Sequence, residues 1–304
     1  MALRIGTRGS ALARAQSALV GDALIAASDE PLEVEYVEVV TRGDVTPGSL
    51  VGLEQVGVFV TALREALLDH RCDIVVHSLK DMPVAPFEGL EIGAIPQRAD
   101  ARDVLCAGGA ALADLPPGAL VGTSSPRRAA QLLALRPDLE VTDTRGNIDT
   151  RLERISDHYD AVILAKAGLD RLGRSDEIDE VFAADDMVPA PGQGALAVEM
   201  RADAPAALRA AVAALDDPAT RARVAAERAA LEVLQAGCAA PVGAYAVIRS
   251  GELRLHVRVV SPDGTLVLNE HQRGPLQRAE HVGRAAGHAL LARGASSLMA
   301  RARS

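Results

Sequence analysis

The segment Ala119-Leu-Val-Gly-Thr-Ser-Ser-Pro126 gives the clearest indication of the fold class. Its apolar start predicts a short buried strand, and Pro126 is a residue favoured in the first position of a helix. Ser125 stands where a helix N-cap belongs. A strand that turns tightly into a helix is the unit from which α/β sheets are built.

A second stretch of the same kind, Ile5-Gly-Thr-Arg-Gly-Ser10, lies near the amino terminus. Apolar residues recur at helical spacing after it, and Ser10 is a plausible N-cap for that helix. Two similar strand-to-helix turns about one domain apart predict two related α/β domains that face each other across a cleft. Such clefts are where open α/β sheets bind ligands.

The rest of the chain continues the alternation of strands and helices. Strands are predicted over 3–6, 32–40, 73–77, 119–122 and 161–165, and a helix over 61–68. This pattern favours mostly parallel sheets with helices on both faces. The glycine-rich segment 44–57 has no clear period and is predicted to be a mobile loop beside the cleft.

The pattern changes after about Asp217. A helix is predicted to Gln235, then strands over 253–260 and 265–268 around the turn Ser261-Pro-Asp-Gly264, then a helix over 276–292. These elements predict a third, smaller α+β domain.

Composition narrows the function classes. The 304 residues are 49% hydrophobic and 24% charged, as in an ordinary globular protein, and the net charge is −9. That charge, with 2% aromatic residues, argues against a nucleic-acid partner. No membrane span or signal peptide is evident, so we expect a cytoplasmic protein with no membrane partner. Three widely separated cysteines do not suggest disulfides.

The arginines are informative by position. Arg127 and Arg128 fall in the first turn of a predicted helix, and Arg8 precedes another helix start. A cation there is unfavourable unless an anion shares the site. Together with the hydroxyls of Ser10, Thr123, Ser124 and Ser125, these arginines are suited to bind carboxylate or phosphate groups.

The segment Asp143-Thr-Arg-Gly-Asn-Ile-Asp-Thr-Arg151 repeats the arrangement. Asn147 is a plausible N-cap, with Arg145 before it and Arg151 one turn inside the helix. For any single arginine, a solvated surface position is the simpler interpretation. For the set at helix starts, anion binding is favoured.

Two further segments carry reactive side chains. Lys80 and Asp81 follow a buried strand, where α/β proteins place reactive groups, although an ordinary loop is the alternative. Cys238 follows a helix in a segment rich in small residues, where an exposed thiol is a candidate nucleophile. The alternative is a small buried residue, which is the interpretation for Cys72 and Cys106.

Other cofactor chemistry finds little support. The seven histidines show no metal-ligand spacing, so no metal site is expected. Gly192-Gln-Gly194 lacks the third glycine of a dinucleotide fingerprint and the lysine of a phosphate-binding loop. It is predicted to be a tight turn.

The motifs taken together resemble the porphobilinogen deaminase, or hydroxymethylbilane synthase, family. They occur in the family's order over nearly the whole chain: Gly6-Thr-Arg-Gly-Ser10, Thr41-Arg-Gly-Asp44, His77-Ser-Leu-Lys-Asp81, Gly122-Thr-Ser-Ser-Pro-Arg-Arg128, Arg145-Gly-Asn147, Thr150-Arg-Leu152, Ala167-Gly-Leu-Asp-Arg-Leu172, Pro191-Gly-Gln-Gly-Ala195 and Gly237-Cys238. The resemblance implies two α/β domains like type II periplasmic binding proteins and a small C-terminal α+β domain. The implied domains are 1–98 with 195–213, 99–194, and 217–304, which carries the cofactor cysteine.

The resemblance also implies an activity. Family members join four porphobilinogen molecules head to tail, release ammonia and form linear hydroxymethylbilane in tetrapyrrole (haem) biosynthesis. Their dipyrromethane cofactor is held by a thioether, here on Cys238, and Asp81 takes the place of the catalytic carboxylate. We expect a monomer whose partner is the small-molecule substrate porphobilinogen.

Further site residues are implied by matching motif positions. Beside Cys238 and Asp81, the cofactor binders are Ser10, Lys80, Thr123, Ser124, Arg127, Arg128, Arg145 and Gly146. The substrate binders are Arg8, Ser10, Arg145, Arg151 and Arg171. Val56 stands where the family commonly has lysine or another polar residue, so no role is assigned to it.

Two other functions remain open at the level of sequence. A non-catalytic binding protein for a polycarboxylate ligand would share the two-lobed architecture, but it has no use for Asp81 or an exposed Cys238. A transferase acting on phosphorylated substrates would also suit arginines at helix starts. The absence of a phosphate-binding loop or metal carboxylate cluster in the sequence argues against that transferase.

Overall fold

The computed structural model describes residues 2–28, 30–39, 55–237 and 240–300, with only the backbone for 55–59. The strands are β1 Ala2–Thr7, β2 Glu33–Glu38, β3 Ile74–Ser78, β4 Leu90–Ala94, β5 Asp103–Cys106, β6 Leu120–Gly122, β7 Glu140–Thr142, β8 Ala161–Ala165, β9 Glu180–Val181, β10 Leu196–Arg201, β11 Val242–Arg249, β12 Glu252–Val260 and β13 Val267–Pro275. The α-helices are α1 Ala11–Ala27, α2 Gln55–Leu68, α3 Pro126–Leu135, α4 Ile148–Leu152, α5 Lys166–Arg171, α6 Ala206–Ala213, α7 Pro218–Val233, α8 Ala279–Ala292 and α9 Ala295–Ala300.

Packing divides the chain into two compact units. The first unit comprises Met1–Arg98 and Ala195–Arg221, and the second comprises Ala99–Gly194 and Ala222–Ser304. Each unit contains one five-stranded sheet, and the second also contains the three-stranded sheet of the C-terminal region.

The sheet of the first unit has the strand order β2-β1-β3-β10-β4. Strand β1 is parallel to β2 and β3, whereas β10 is antiparallel to β3 and β4. Alternate strand residues face opposite sides. Ile5 and Val76 pack with Leu24 of α1, and Val75 packs with Leu67 of α2. Helices therefore cover both faces, as predicted.

The sheet of the second unit repeats this plan in the order β7-β6-β8-β5-β9. Strand β6 is parallel to β7 and β8, and β5 is antiparallel to β8 and β9. The predicted pair of related α/β domains is confirmed. Four of the five strands in each sheet run in the same direction, as the expectation of mostly parallel sheets requires. The one reversed strand, β10 in the first sheet and β5 in the second, was not predicted, because no local pattern records strand direction.

The C-terminal sheet is antiparallel in the order β11-β12-β13. Leu253, Leu255 and Val257 of β12 pack against Val282 and other apolar residues of α8. The predicted α+β character is confirmed, but β11 was not predicted. The strand predicted over 265–268 lies instead at Val267–Pro275. Its exposed polar residues obscure the alternation of apolar residues, so its true extent was not predicted.

The ends of some helices and strands were predicted more accurately than those of others. Ser10 and Ser125 cap their helices, Pro126 is the first helical residue, and the strand at 161–165 is confirmed. The helix predicted over 61–68 begins at Gln55, so the predicted loop over 44–57 ends too late; residues 41–54 lie outside the described part. The final predicted helix opens with a 3-10 turn over Leu276–Arg278. Among the described residues, none of the helices is long and apolar enough to cross a membrane.

Candidate active site

In the first unit, two parallel strands bring candidate residues to one sheet edge. Strands β1 and β3 are neighbours, so their carboxyl ends meet at that edge. Arg8 and Ser10 follow β1, and Lys80 and Asp81 lie in a 3-10 turn directly after β3. The structure therefore brings these four predicted residues to the same edge.

Hydrogen bonds fix the two turns at this edge. Ser10 Oγ accepts from the backbone N–H of Ala13 at 3.3 Å, which caps α1. One turn later, Gln16 Nε2 donates to Ser78 Oγ at 2.8 Å. The start of α1 is thereby tied to the end of β3.

The 3-10 turn holds Asp81 in an open position. Leu79 is fully buried, and its backbone N–H donates to the carbonyl of Ala195 at 3.0 Å. Lys80 is half-buried and Asp81 is exposed. Among the described residues, the Asp81 carboxylate has no hydrogen-bond or ion-pair partner. Its oxygens are available to a ligand.

A buried charge network lies behind β3. Arg64 of α2 donates to Glu199 of β10 through Nε at 3.0 Å and Nη2 at 2.8 Å. His77 of β3 contacts the other oxygen of Glu199 at 3.0 Å. Burial would raise the pKa of Glu199, but the hydrogen bonds from His77 and Arg64 outweigh it and lower that pKa. The network fixes the strand that leads to Asp81.

Sequence reasoning did not identify this network. Its three members are buried, with exposed fractions of 6% for Arg64, 5% for His77 and 2% for Glu199. The available signal was a charged residue after an apolar run in a buried strand, as Glu199 is in Leu196–Arg201.

In the second unit, three adjacent parallel strands gather the other candidates at one edge. Thr123, Ser124, Arg127 and Arg128 follow β6, Arg145, Gly146 and Arg151 follow β7, and Arg171 ends the helix after β8. These eight predicted site residues thus lie beyond the carboxyl ends of parallel strands.

Arg127 and Arg128 converge on one buried carboxylate. Arg127 Nη1 donates to Asp103 Oδ2 at 2.7 Å, and Arg128 Nε donates to Asp103 Oδ1 at 2.9 Å. Burial would raise the pKa of Asp103, but Arg127 and Arg128 lower it to about 2. The anion that offsets these cations at the helix start is therefore part of the protein.

One donor of the arginine pair is left for a further acceptor. Arg127 Nε is buried and has no hydrogen-bond partner among the described residues. A buried N–H without an acceptor is unfavourable. A bound carboxylate oxygen would satisfy it.

The turn before α3 supplies hydroxyl groups. Thr123 is buried and its Oγ1 accepts from the backbone N–H of Ser125 at 3.2 Å. Ser125 Oγ in turn caps the helix by accepting from the Arg128 N–H at 3.4 Å. Ser124 is exposed between them.

The segment after β7 forms a second cationic turn. Asn147 Oδ1 accepts from the Thr150 N–H at 2.9 Å, which confirms the predicted cap. Gly146 has a φ of 109°, and a Cβ there would lie 2.8 Å from Thr150, so this position requires glycine. Arg151 Nε donates to the Gly146 carbonyl at 2.9 Å. Burial and nearby Arg128 lower the pKa of Arg151.

Arg145 and Arg171 differ in how firmly the protein holds them. Arg145 is exposed and contacts Asp143 at 3.2 Å. Arg171 Nη2 donates to the Gly194 carbonyl at 2.7 Å, and burial lowers its pKa. The predicted tight turn at Gly192–Gly194 is confirmed by the bond from the Gln193 N–H to the Ala190 carbonyl at 2.9 Å.

Two of the three cysteines lie among the described residues. Cys72 and Cys106 are buried, as predicted, and burial raises their thiol pKa to about 11 and about 12. Neither is an activated nucleophile. Cys238 lies outside the described residues, as does the motif Thr41–Asp44.

Comparison with known proteins decides the family. The model of the porphobilinogen deaminase dipyromethane cofactor binding domain matches residues 3–209, and the model of the C-terminal domain of the same enzyme matches residues 221–292. The chain belongs to the porphobilinogen deaminase family. It is therefore a transferase with hydroxymethylbilane synthase activity, and its cofactor is dipyrromethane.

Individual porphobilinogen deaminases are similar along nearly the whole chain. The enzyme of Thermobifida fusca is 48% identical over 308 residues, covering 98% of this chain and 95% of its own length. Porphobilinogen deaminase 1 of Streptomyces coelicolor is 49% identical over 313 residues, covering 98% and 97%. The enzyme of Leifsonia xyli is 53% identical over 272 residues, covering 88% and 82%.

Solved structures with a similar chain course include binding proteins. A periplasmic substrate-binding protein of an ABC transporter from Coxiella burnetii has a TM-score of 0.44 at 16% identity, covering 74% of this chain and 96% of its own chain. The methionine binding protein MetQ has a TM-score of 0.44 at 9% identity, covering 70% and 89%.

Proposed function

We propose that Asp81 is the catalytic carboxylate of this hydroxymethylbilane synthase and that Cys238 carries the dipyrromethane through a thioether. The observation that carries this proposal is the exposed Asp81 carboxylate, which has no partner among the described residues. It follows β3 beside Lys80 at the sheet edge that also presents Arg8 and Ser10. An unpaired carboxylate at the reactive edge of an α/β sheet is suited to acid–base work.

The donor groups of the second unit fit a carboxylated pyrrole cofactor. Arg127 Nε is buried without an acceptor, and Arg151 carries a partly buried positive charge near Arg128. Both would gain from a carboxylate. We therefore propose that Thr123, Ser124, Arg127, Arg128, Arg145 and Gly146, with Ser10 and Lys80 of the first unit, hold the carboxylate side chains of the dipyrromethane.

The chemistry assigns a clear task to Asp81. When bound, the dipyrromethane supplies the pyrrole to which new units are joined. Porphobilinogen that has lost ammonia is electron-poor, and the Asp81 carboxylate is suited to stabilise the positive charge on its pyrrole nitrogen. The same carboxylate accepts and returns the proton that moves as each carbon–carbon bond forms.

The remaining arginines bind substrate in this proposal. Each porphobilinogen brings an acetate and a propionate, so the growing chain gains two negative charges per step. Arg8, Arg145, Arg151 and Arg171, with Ser10, bind these carboxylates at the strand ends. Forked guanidinium groups match carboxylates in geometry and remain charged at neutral pH. A protein with a net charge of −9 thereby concentrates positive charge where its substrate binds.

We also propose the organisation in which this site works. The domains are 1–98 with 195–213, 99–194, and 217–304, and the protein is a cytoplasmic monomer. Its partner is porphobilinogen, with no nucleic-acid or membrane partner. The net charge of −9 supports the exclusion of nucleic acid.

Intact-protein mass spectrometry tests the cofactor attachment. We expect the purified protein to carry a covalent adduct of two linked pyrroles and Cys238→Ser to lack it. Cys106→Ala is the matched control: its thiol is buried, so this variant should keep the adduct. An unmodified wild-type protein that binds porphobilinogen without converting it would refute the proposal and support the polycarboxylate-binding alternative.

Replacement of Asp81 tests its catalytic role. Because Asp81 is exposed and unpaired among the described residues, we expect Asp81→Ala to fold normally and to lose about 10²- to 10⁴-fold in turnover. Asp114→Ala is the control, since Asp114 also ends an exposed 3-10 turn but lies outside the site. Wild-type turnover in Asp81→Ala would remove the catalytic role.

A further inference from the structure

The outer face of the C-terminal sheet forms a groove that the activity does not use. Leu253, Leu255 and Val257 face the helix-covered core, so the residues between them point to the other side. On that side lies a cavity of about 730 Å³, closed at one margin by Ala184 and Asp185. We call this cavity the sheet-face groove; its polar lining includes Tyr245, Arg249, Arg254, His256, His271 and Arg273.

Like charges stand directly opposite each other in this groove. Arg254 of β12 is in register with Arg273 of β13, and His256 is in register with His271. The two imidazole rings stack with centroids 4.2 Å apart and planes 20° apart. Like charges directly opposite each other destabilise a sheet unless an anion lies between them.

The carboxylates near the groove are too few for its cations. Glu252 lies 3.5 Å from Arg254 Nε, and Asp185 lies 3.6 Å from His256 Nδ1. Arg249 and Arg273 have no hydrogen-bond or ion-pair partner among the described residues. Excess positive charge in a concave site attracts anions.

His256 adds a buried polar atom aimed at the same space. Asn269 Oδ1 lies 2.9 Å from His256 Nε2 and accepts from Arg258 Nε at 2.7 Å, so Nε2 is the protonated nitrogen. His256 is 8% exposed, and its Nδ1 has no hydrogen-bond partner among the described residues. Once protonated, Nδ1 is a donor to an anion.

The spacing of the two rows defines the ligand. The arginine row and the histidine row are two residues apart along β12, which separates them by about 7 Å. We propose that the sheet-face groove binds a small polyanion with two or more carboxylate or phosphate groups about that far apart. One group lies between Arg254 and Arg273, and the other lies by His256 and His271. The groove shares no residue with the strand ends that hold Asp81 and the site arginines.

Proton binding strengthens this site. Burial, His271 and Arg258 lower the pKa of His256, whereas the hydrogen bond to Asn269 and the charge of Asp185 raise it. A bound anion adds negative charge and raises that pKa further. Polyanion binding is therefore tighter below neutral pH than above it.

Imidazole NMR of the full-length protein tests the proposal with adipate and 1,3-propanediol bisphosphate as probes, because their two terminal anionic groups can lie about 7 Å apart. Variants His256→Asn and His271→Asn assign the ring signals. We expect at least one probe to shift both signals, and more strongly at pH 6 than at pH 8. A response to adipate alone would identify a carboxylate site, and a response to the bisphosphate alone would identify a phosphate site. The ring of His77, in the first unit, reports binding near the active site separately.

Two arginine variants complete the test. Arg254→Gln with Arg273→Gln should weaken the shift-derived affinity at least about tenfold and should not lower the melting temperature, because repulsion between the two arginines is removed. Arg278→Gln, an exposed arginine outside the groove, should bind as wild type. Unmoved His256 and His271 signals with both probes, or equal affinity in the double variant and Arg278→Gln, would overturn the proposal.

Discussion

Two buried carboxylates occupy equivalent strands of the two five-stranded sheets and are neutralised differently. Glu199 lies on β10 and Asp103 lies on β5, the antiparallel fourth strand in each sheet order. Asp103 pairs with two arginines that belong to the proposed binding site. Glu199 pairs with Arg64 and His77, which lie behind the strand that leads to Asp81.

The difference shows two ways in which a buried carboxylate can position the residues of a site. In the second unit, the buried carboxylate orients the arginines that we propose to bind ligand. In the first unit, the carboxylate fixes the strand and leaves Asp81 exposed. The partners differ as well, because an arginine stays charged while a histidine can lose its proton.

The largest effect is expected from Asp103→Asn. This change leaves Arg127 and Arg128, both nearly fully buried, without their carboxylate. Removing one partner from a buried ion pair costs about 3–5 kcal/mol. Urea unfolding should show a loss of that size. Asp138→Asn is the control, because the Asp138–Arg136 pair is solvent-screened at the surface and its removal should change the free energy of unfolding far less. Equal losses in the two variants would contradict the comparison.

Glu199→Gln is expected to have the next largest effect. It leaves the guanidinium of Arg64 without its carboxylate, so one buried arginine is uncompensated rather than two. We expect a loss of about 3 kcal/mol in the free energy of unfolding, with reduced turnover, because β3 leads into the turn that carries Asp81. Glu91→Gln, in the exposed pair with Arg209, is the control in the same unit. Unchanged turnover in Glu199→Gln would show that Glu199 does not position the turn that carries Asp81.

The dependence of the unfolding free energy on acidic pH tests the Asp103 cluster further. The folded pKa of Asp103 is about 2, against 3.8 for the ordinary group. The cluster therefore contributes about 2 kcal/mol above pH 3.8, and the contribution is lost as the pH falls through about 2. The difference in unfolding free energy between wild type and Asp103→Asn should shrink over that range. A difference that stays constant from pH 5 to pH 2 would show that the pKa of Asp103 is not lowered in the folded protein.

Much of the fold could be predicted because its signals are local. Ser10 and Ser125 were identified as caps from their own turns, and the strand at 161–165 from its apolar run. The antiparallel strands β5 and β10 could not be placed, because pairing partners far apart in sequence decide their direction. Strand β13 was mostly missed, because its outer face is polar.

The candidate site also has features that could be predicted from local sequence and features that could not. The positions of Asp81, Arg127 and Arg128 follow from strand ends and a helix start, which the sequence displays. Their internal partners do not, because Arg64 and Glu199 are 135 residues apart and Arg127 and Asp103 are 24 apart. A charged residue in a buried strand signals that a partner exists without saying which one.

The smallest effect concerns the two similar turns that lead into α1 and α3. Ser10 and Ser125 each accept one backbone hydrogen bond, at 3.3 Å and 3.4 Å. Each change to alanine should cost about 1 kcal/mol in the free energy of unfolding. The costs should be similar, because Asp103 offsets the two arginines in the first turn of α3. Ser296→Ala, inside α9 and exposed, is the control for loss of a hydroxyl and should cost nothing. A much larger cost for Ser125→Ala would mean that Asp103 leaves those arginines partly uncompensated, so that the cap carries more of the stability of the second turn.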